Sequence, residues 1–284
     1  MLRFIPRMDA QGAAPLMQAG IPEPLALLMV QRGVRTPEAA RAFLAPHPDQ
    51  LLDPMRLRDM DRAASALRQA IERRERITIY GDYDVDGVTA TALLHETLEA
   101  CGARVAYYIP SRHEEGYGLN REALDRLAGT TDLLVTVDCG ITAIEEVAYA
   151  YALGMRVIVT DHHEAPERLP ACEAVVNPLL GDYPFPRLCG AGVAFKLAQA
   201  LRGWQAVQAL LPLVALATVA DLVPLLEENR VLTALGLAAL QTDGRPGLRA
   251  LIEVAGLEGK PITAGHLGFQ IGPRLNAGGR LKHA

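Results

Sequence analysis

The sequence predicts an α/β fold: a parallel sheet of about five strands flanked by helices, with extra helices at both ends. Three observations predict it. Short runs rich in Val, Ile, Leu and Tyr alternate with stretches of helical apolar spacing between Ile77 and Asn177, Gly102 and Gly154 stand where helices would stop, and acidic or histidine residues directly follow several of the short runs. Alternation of this kind is the signature of strands joined by helical crossovers, which run parallel.

Taken in order, Thr36 to Leu44 opens with Thr-Pro-Glu-Ala, a threonine N-cap followed by proline at the first helical position. Arg62 to Arg73 forms a second helix. The strands are Arg76 to Tyr80, Arg104 to Ile109, Leu133 to Asp138, Arg156 to Thr160 and Ala174 to Asn177. Between them, Val88 to Ala100, Arg121 to Ala128 and Ala143 to Leu153 space their apolar residues as helices do. Beyond the sheet, Val193 to Arg202, Trp204 to Val219, Arg230 to Gln241 and Gly247 to Ala255 read as helices. The division expected is a helical extension over 1–75, a catalytic α/β core over 76–225 and a helical segment over 226–284.

With 284 residues, half of them apolar, the chain can bury a full core. Its longest uncharged apolar run, Ala209 to Ala220, contains Pro212 and stops at Asp221, short of the roughly 20 residues of a membrane span. MLRFIPRMDA has no signal-peptide core, and Cys101, Cys139, Cys172 and Cys189 match neither a zinc spacing nor a disulfide framework. A cytoplasmic protein without a membrane partner is expected. The net charge of −5 leaves nucleic acid open as a partner, because carboxylates that bind cations contribute to it.

The chemistry gathers at strand ends. Tyr80 to Gly87 reads YGDYDVDG and places Asp82, Asp84 and Asp86 at alternate positions after the first strand. Asp138 closes the third strand in VTVDCG, and Asp161, His162 and His163 follow the fourth. Ligands of open parallel sheets bind beyond the carboxyl ends of the strands, so these loops are expected on one rim. Each has a plainer reading. The acidic loop could cap a helix, the histidines could be solvated loop residues, and Asp138 could be a helix cap. A calcium loop is excluded, because counting from Asp82 its twelfth position would be Leu93. Crowded like charges are costly without cations, and convergence of three loops favours metal binding. Asp221, closing the uncharged run, needs a partner or a metal in the same way. Mixed carboxylate and imidazole donors suit Mn²⁺ and related ions, and two ions about 3.5–4 Å apart would serve phosphoester hydrolysis.

At these residues the chain resembles the DHH phosphoesterase superfamily, named for the tripeptide Asp161-His162-His163. Within it, the chain is similar to the RecJ single-strand-specific 5′ exonucleases. YGDYDVDG, VTVDCG, VTDHH and TVADLVPL look like their first four motifs. IPSRHEEGYGLN (Ile109 to Asn120), GAGVAFKL (Gly190 to Leu197) and GPRLNAGGR (Gly272 to Arg280) are further similar segments. The resemblance implies a Rossmann-like DHH domain holding two Mn²⁺ or Mg²⁺ ions through Asp82, Asp84, Asp138, His162 and Asp221, with Asp138 bridging and Asp86 as a further candidate. It implies a catalytic group of Asp138, Asp161, His162 and His163, with His163 on the scissile phosphate and Asp161 a ligand or an acceptor for an imidazole N–H. Arg112, Arg274, Asn276 and Arg280 would hold the strand and Tyr117 would stack a base. Gly190 and Gly192 would cradle a phosphate or serve close packing. Related pyrophosphatases carry a histidine where this chain has Tyr80, so no ligand is expected there.

The activity implied is removal of nucleotides from the 5′ end of single-stranded DNA, in repair and recombination, by a monomer working with single-strand-binding protein and a helicase. RecJ-like proteins also carry a second domain, DHHA1, whose motif does not occur here, so the chain is expected to be a fragment. Competing readings are a DHH phosphodiesterase for short oligonucleotides or cyclic dinucleotides, and a catalytically inactive scaffold.

Overall fold

The computed structural model describes residues 9–111 and 115–281, without the side chains of 280 and 281. The chain divides into two compact units, Met1–Leu51 and Leu52–Ala284. The first holds α1 (Ala10–Gln18), α2 (Glu23–Gln31) and α3 (Pro37–Leu44), closed around Leu16, Met29, Val30 and Ala40. The Thr36 side chain caps α3 by accepting from the Ala39 amide at 3.1 Å. Neither α1 nor α2 was expected; Gly12 and Pro15 within α1 mask its helical pattern.

The second unit contains α4 (Met60–Glu72), then β1 (Arg76–Gly81), α5 (Val85–Ala100), β2 (Arg104–Tyr108), α6 (Arg121–Leu127), β3 (Leu133–Val137), α7 (Ile144–Ala152), β4 (Arg156–Thr160) and β5 (Ala174–Val176). The five strands are parallel in the order β2-β1-β3-β4-β5. Tyr80, Leu134, Val157, Val159 and Val175 enter one apolar cluster with Ala123 and Leu124 of α6 and Val147 and Ala150 of α7. On the sheet also lie α5 and α8 (Gly190–Arg202), and α4 packs on β5 and α8. Met60, Ala63, Leu67 and Ala70 bury one face of α4 in this unit's core.

After α8 come α9 (Trp204–Val207), α10 (Leu211–Ala220), α11 (Glu227–Leu240), α12 (Pro246–Val254) and α13 (Ala264–His266). The helix expected over Trp204 to Val219 is interrupted by a 3₁₀ turn at Gln208–Leu210, and Pro212 falls in the first turn of α10, where a missing N–H costs nothing. A π-helical turn, Leu267–Ile271, runs into α14 (Gly272–Leu281), which the glycines of GPRLNAGGR hid from the sequence reading. No helix among the described residues is long and apolar enough to cross a membrane.

Register is what positions the site. Gly81 pairs with Val137, and Val137 with Thr160. The next residues along, Asp82, Asp138 and Asp161, therefore leave three neighbouring strands level with one another, at the point where strand order reverses between β1 and β3.

Candidate metal centre

Asp82 follows β1 directly and is buried. Asp84 then caps α5, its Oδ1 accepting from the Gly87 amide at 3.0 Å. The helix so begins at Val85 rather than Val88, and Asp86 lies in its first turn instead of a loop. There it is buried, and its two oxygens accept from the amides of Gly190 at 2.5 Å and Ala191 at 2.8 Å. Those amides open α8, which starts at Gly190 rather than Val193. They are engaged by Asp86, so of the two readings of Gly190, a phosphate cradle or close packing, the geometry at the start of α8 favours close packing. Glycine is required at 190 because a Cβ there would stand 2.6 Å from the Cβ of Asp138.

Asp138 sits just past β3 with φ of 60°, a left-handed backbone that few non-glycine residues adopt. His162 Nε2 lies 3.1 Å from Asp138 Oδ1, 3.6 Å from Asp86 Oδ2 and 3.8 Å from Asp221 Oδ2. Asp221, the C-cap of α10, reaches the cluster from the helical segment beyond the sheet. Asp82 Oδ1, Asp138 Oδ1, His162 Nε2 and Asp221 Oδ2 are all buried without a hydrogen-bond partner among the described residues. Leaving even one such atom unpaired is expensive. Four of them in one cluster at the strand ends fit the donor set of a cation site.

Electrostatics agree. Burial pushes Asp82 up to about 6. Burial, and then the charges of Asp86 and Asp84, push Asp221 up to about 7. Asp138 is raised well above the carboxylate range by burial and then by its carboxylate neighbours, and burial likewise raises Asp86. Burial also holds His162 below its ordinary value, so its imidazole is neutral and available as a ligand. Three overlapping groups have candidate donor atoms within 4.8 Å of one another: Asp82, Asp84 and Asp138; Asp138, His162 and His163; and Asp86, His162 and Asp221. The structure thus brings together every residue expected to ligate metal, and Asp138 and His162 each belong to two groups.

Asp161 has a different place. Its carboxylate accepts from the amides of Ile141 at 2.9 Å, His162 at 2.7 Å and His163 at 3.1 Å, and from His163 Nδ1 at 2.7 Å. Burial alone would raise its pKa, but the His163 and Ile141 bonds outweigh burial and keep it low. The Asp161 bond in turn raises His163. With Nδ1–H given to Asp161, Nε2 is the nitrogen His163 has left for a ligand. Asn177, which the sequence reading took only as a strand end, donates to the His163 carbonyl at 2.9 Å.

Of the residues expected to bind substrate, Tyr117 stands at the site, its hydroxyl 3.3 Å from His163 Nδ1 and its ring edge-on to that imidazole. It is held there through Tyr80, whose hydroxyl donates to Gly118 O at 2.9 Å and accepts from Asn120 at 3.1 Å. Tyr80 is thereby an anchor, not a ligand. Asn276 lines a cavity beside Val85 and Ala220. Arg274 is exposed and donates to the Gln270 carbonyl at 2.7 Å, on α14. Arg112 and the side chain of Arg280 lie outside the described residues.

The model of the DHH family N-terminal domain matches residues 76–218. The single-stranded-DNA-specific exonuclease RecJ of Bacillus subtilis (strain 168) is 45% identical over 263 residues, which are 92% of this chain and 33% of that protein. A solved exonuclease RecJ bound to manganese superposes with a TM-score of 0.76 at 40% identity, over 82% of this chain and 60% of that one. RecJ of Thermus thermophilus in complex with Mn²⁺ superposes with a TM-score of 0.79 at 35% identity, over 99% of this chain and 40% of that one. The chain spans about a third of the Bacillus relative.

Proposed function

The chain belongs to the DHH family, and from that membership we propose a metal-dependent phosphodiesterase that removes 5′-mononucleotides from the 5′ end of single-stranded DNA in repair and recombination. One observation carries the reading: the buried, unpartnered donor atoms of Asp82, Asp138, His162 and Asp221. Asp82, Asp84 and Asp138 would hold one Mn²⁺ or Mg²⁺ ion, and Asp138, His162 and Asp221 a second. Bound there, the ions supply Lewis acidity to the scissile phosphodiester. Asp86 fixes the start of α8 against the cluster, since both its oxygens are taken by α8 amides. His163, aligned by Asp161 and backed by Tyr117, faces the substrate phosphate. Arg112, Arg274, Asn276 and Arg280 hold the strand. The similarity to RecJ proteins, named as single-stranded-DNA-specific exonucleases, supports the single-stranded substrate. We further propose a cytoplasmic monomer working with single-strand-binding protein and a helicase.

The test is Mn²⁺-dependent digestion of a long strand labelled at its 5′ end in one reaction and its 3′ end in another, beside a dinucleotide. Immediate release of labelled mononucleotide from the 5′ end, with gradual shortening of the 3′-labelled strand, is expected. Turnover of the dinucleotide alone would replace this reading with that of an oligonucleotidase.

A further inference from the structure

Leu222 follows Asp221 at the end of α10 and breaks two rules at once. As the first residue past the C-cap it takes a left-handed backbone, φ 61°, a position glycine fills without strain. Its side chain is 87% exposed, so leucine gains almost no burial in return. A helix end needs only the backbone conformation, and an exposed leucine contributes nothing to it. The adjoining residue Asp221 offers an unpartnered oxygen to the metal cluster. Phe269, 85% exposed, stands on the π-helical turn packed against the same helix end, where a Cβ on Gly268 would lie 3.4 Å from Val219. π-Helical turns are frequent at functional sites. A cavity of about 350 Å³ opens there too, lined by Val85, Ala220, Gly268, Gly272, Pro273 and Asn276. Its lining is polar as much as apolar, with backbone groups exposed and Asn276 carrying its polar side chain, and Val85 and Ala220 adjoin the metal-cluster residues Asp84, Asp86 and Asp221.

We infer that Leu222 is a substrate-contacting residue whose side chain packs on a nucleobase next to the scissile phosphate, with the cavity at the end of α10 receiving that base. The inference rests on the phosphodiesterase reading for its substrate. An apolar contact of this kind tolerates every base, as a strand-processing site requires.

Leu222→Gly separates this role from a structural one, because the two act in opposite directions. Glycine relieves the left-handed backbone, so the variant's thermal midpoint is expected to equal or exceed that of the wild type, with Mn²⁺ affinity by calorimetry unchanged. Leu222→Ala keeps the strain and removes the contact. Both variants should bind fluorescent oligo(dT) about tenfold more weakly by anisotropy, while a strand of abasic residues should be bound equally by variants and wild type. Unchanged oligo(dT) affinity, or an equal loss on the abasic strand, overturns the inference. Hydrolysis is scored separately. A wild type that binds strands but cuts none defeats the phosphodiesterase reading while the affinity ratios still decide the role of Leu222, and one that neither binds nor cuts defeats both.

Discussion

At Asp138 several unfavourable terms meet: a left-handed backbone, burial, surrounding carboxylates and an oxygen without a hydrogen-bond partner among the described residues. Such strain persists where the surrounding structure enforces it, and it concentrates at working sites. Asp138→Asn removes the charge but keeps the shape. The metal-free variant should melt higher than the wild type, by roughly 2–4 °C for each kcal/mol of repulsion relieved. It should also lose Mn²⁺ binding and hydrolysis together, the latter by about 10³-fold or more. Scanning calorimetry without metal and titration with it would check both, and a fall in the metal-free midpoint would contradict the account of Asp138 as a repelled carboxylate. Gly190 is the complementary case. Alanine there would drive its methyl into Asp138, costing about 1–3 kcal/mol as overpacking does and weakening Mn²⁺ binding. Gly244→Ala, which meets nothing within 4 Å, is the control and should change neither property.

Among the elements, α8 ties the sheet to the later helices. Lys196 is fully buried and pairs with Glu228 of α11, while its Nζ also donates to the Leu52 carbonyl at 2.7 Å. Glu228 further accepts from the Leu52 amide at 2.9 Å and the Tyr183 hydroxyl at 2.6 Å. Burial depresses the lysine pKa against the pull of Glu228, and the bonds from Leu52 and Tyr183 help to offset the cost of burying the pair. Lys196→Met leaves a buried carboxylate unmatched and should cost about 3–5 kcal/mol. Lys196→Met with Glu228→Leu should cost clearly less than the sum of the single changes. Urea unfolding of the four proteins gives the coupling, and additivity would rule out the pair as a unit. The lysine of GAGVAFKL is structural. Nothing in the spacing of residues 196 and 228 announces that they meet.

For the larger unit as a whole, the carboxylate cluster links stability to pH and metal. Asp82 and Asp221 rise from 3.8 to about 6 and about 7 in the folded state. The folded metal-free protein then binds more protons than the unfolded chain over that interval, so its stability falls as pH rises from about 4 to about 7. Cation binding requires the carboxylates ionised and displaces those protons. Mn²⁺ should therefore stabilise little at pH 5 and strongly at pH 7.5, by about 2.7 kcal/mol at a hundred times its dissociation constant. Thermal midpoints at the two pH values, with Mn²⁺ and with chelator, would show it. A metal-free protein that gains stability between pH 5 and 7 would contradict the cluster's electrostatics.

Local sequence was enough to specify the alternation of strands and helices and the residues that end the strands. Those depend on periodicity, N-caps and helix stops, each written within a few neighbouring residues. Asp82, Asp138 and His162 could be named as site residues because each follows an apolar run that had to be a strand. Element starts were less legible where polar residues enter helices: Asp86 and Gly190 read as loop positions, yet each lies in a first turn whose orphan amides or carboxylates find partners far along the chain. It took the folded chain to align Gly81, Val137 and Thr160, to bring Asp221 from α10 to His162, to set Asp161 against His163, and to leave Leu222 in water. The physical reason is that register, long-range charge contacts and the partners of backbone amides are set by packing between elements, and packing leaves no periodic trace in any one segment.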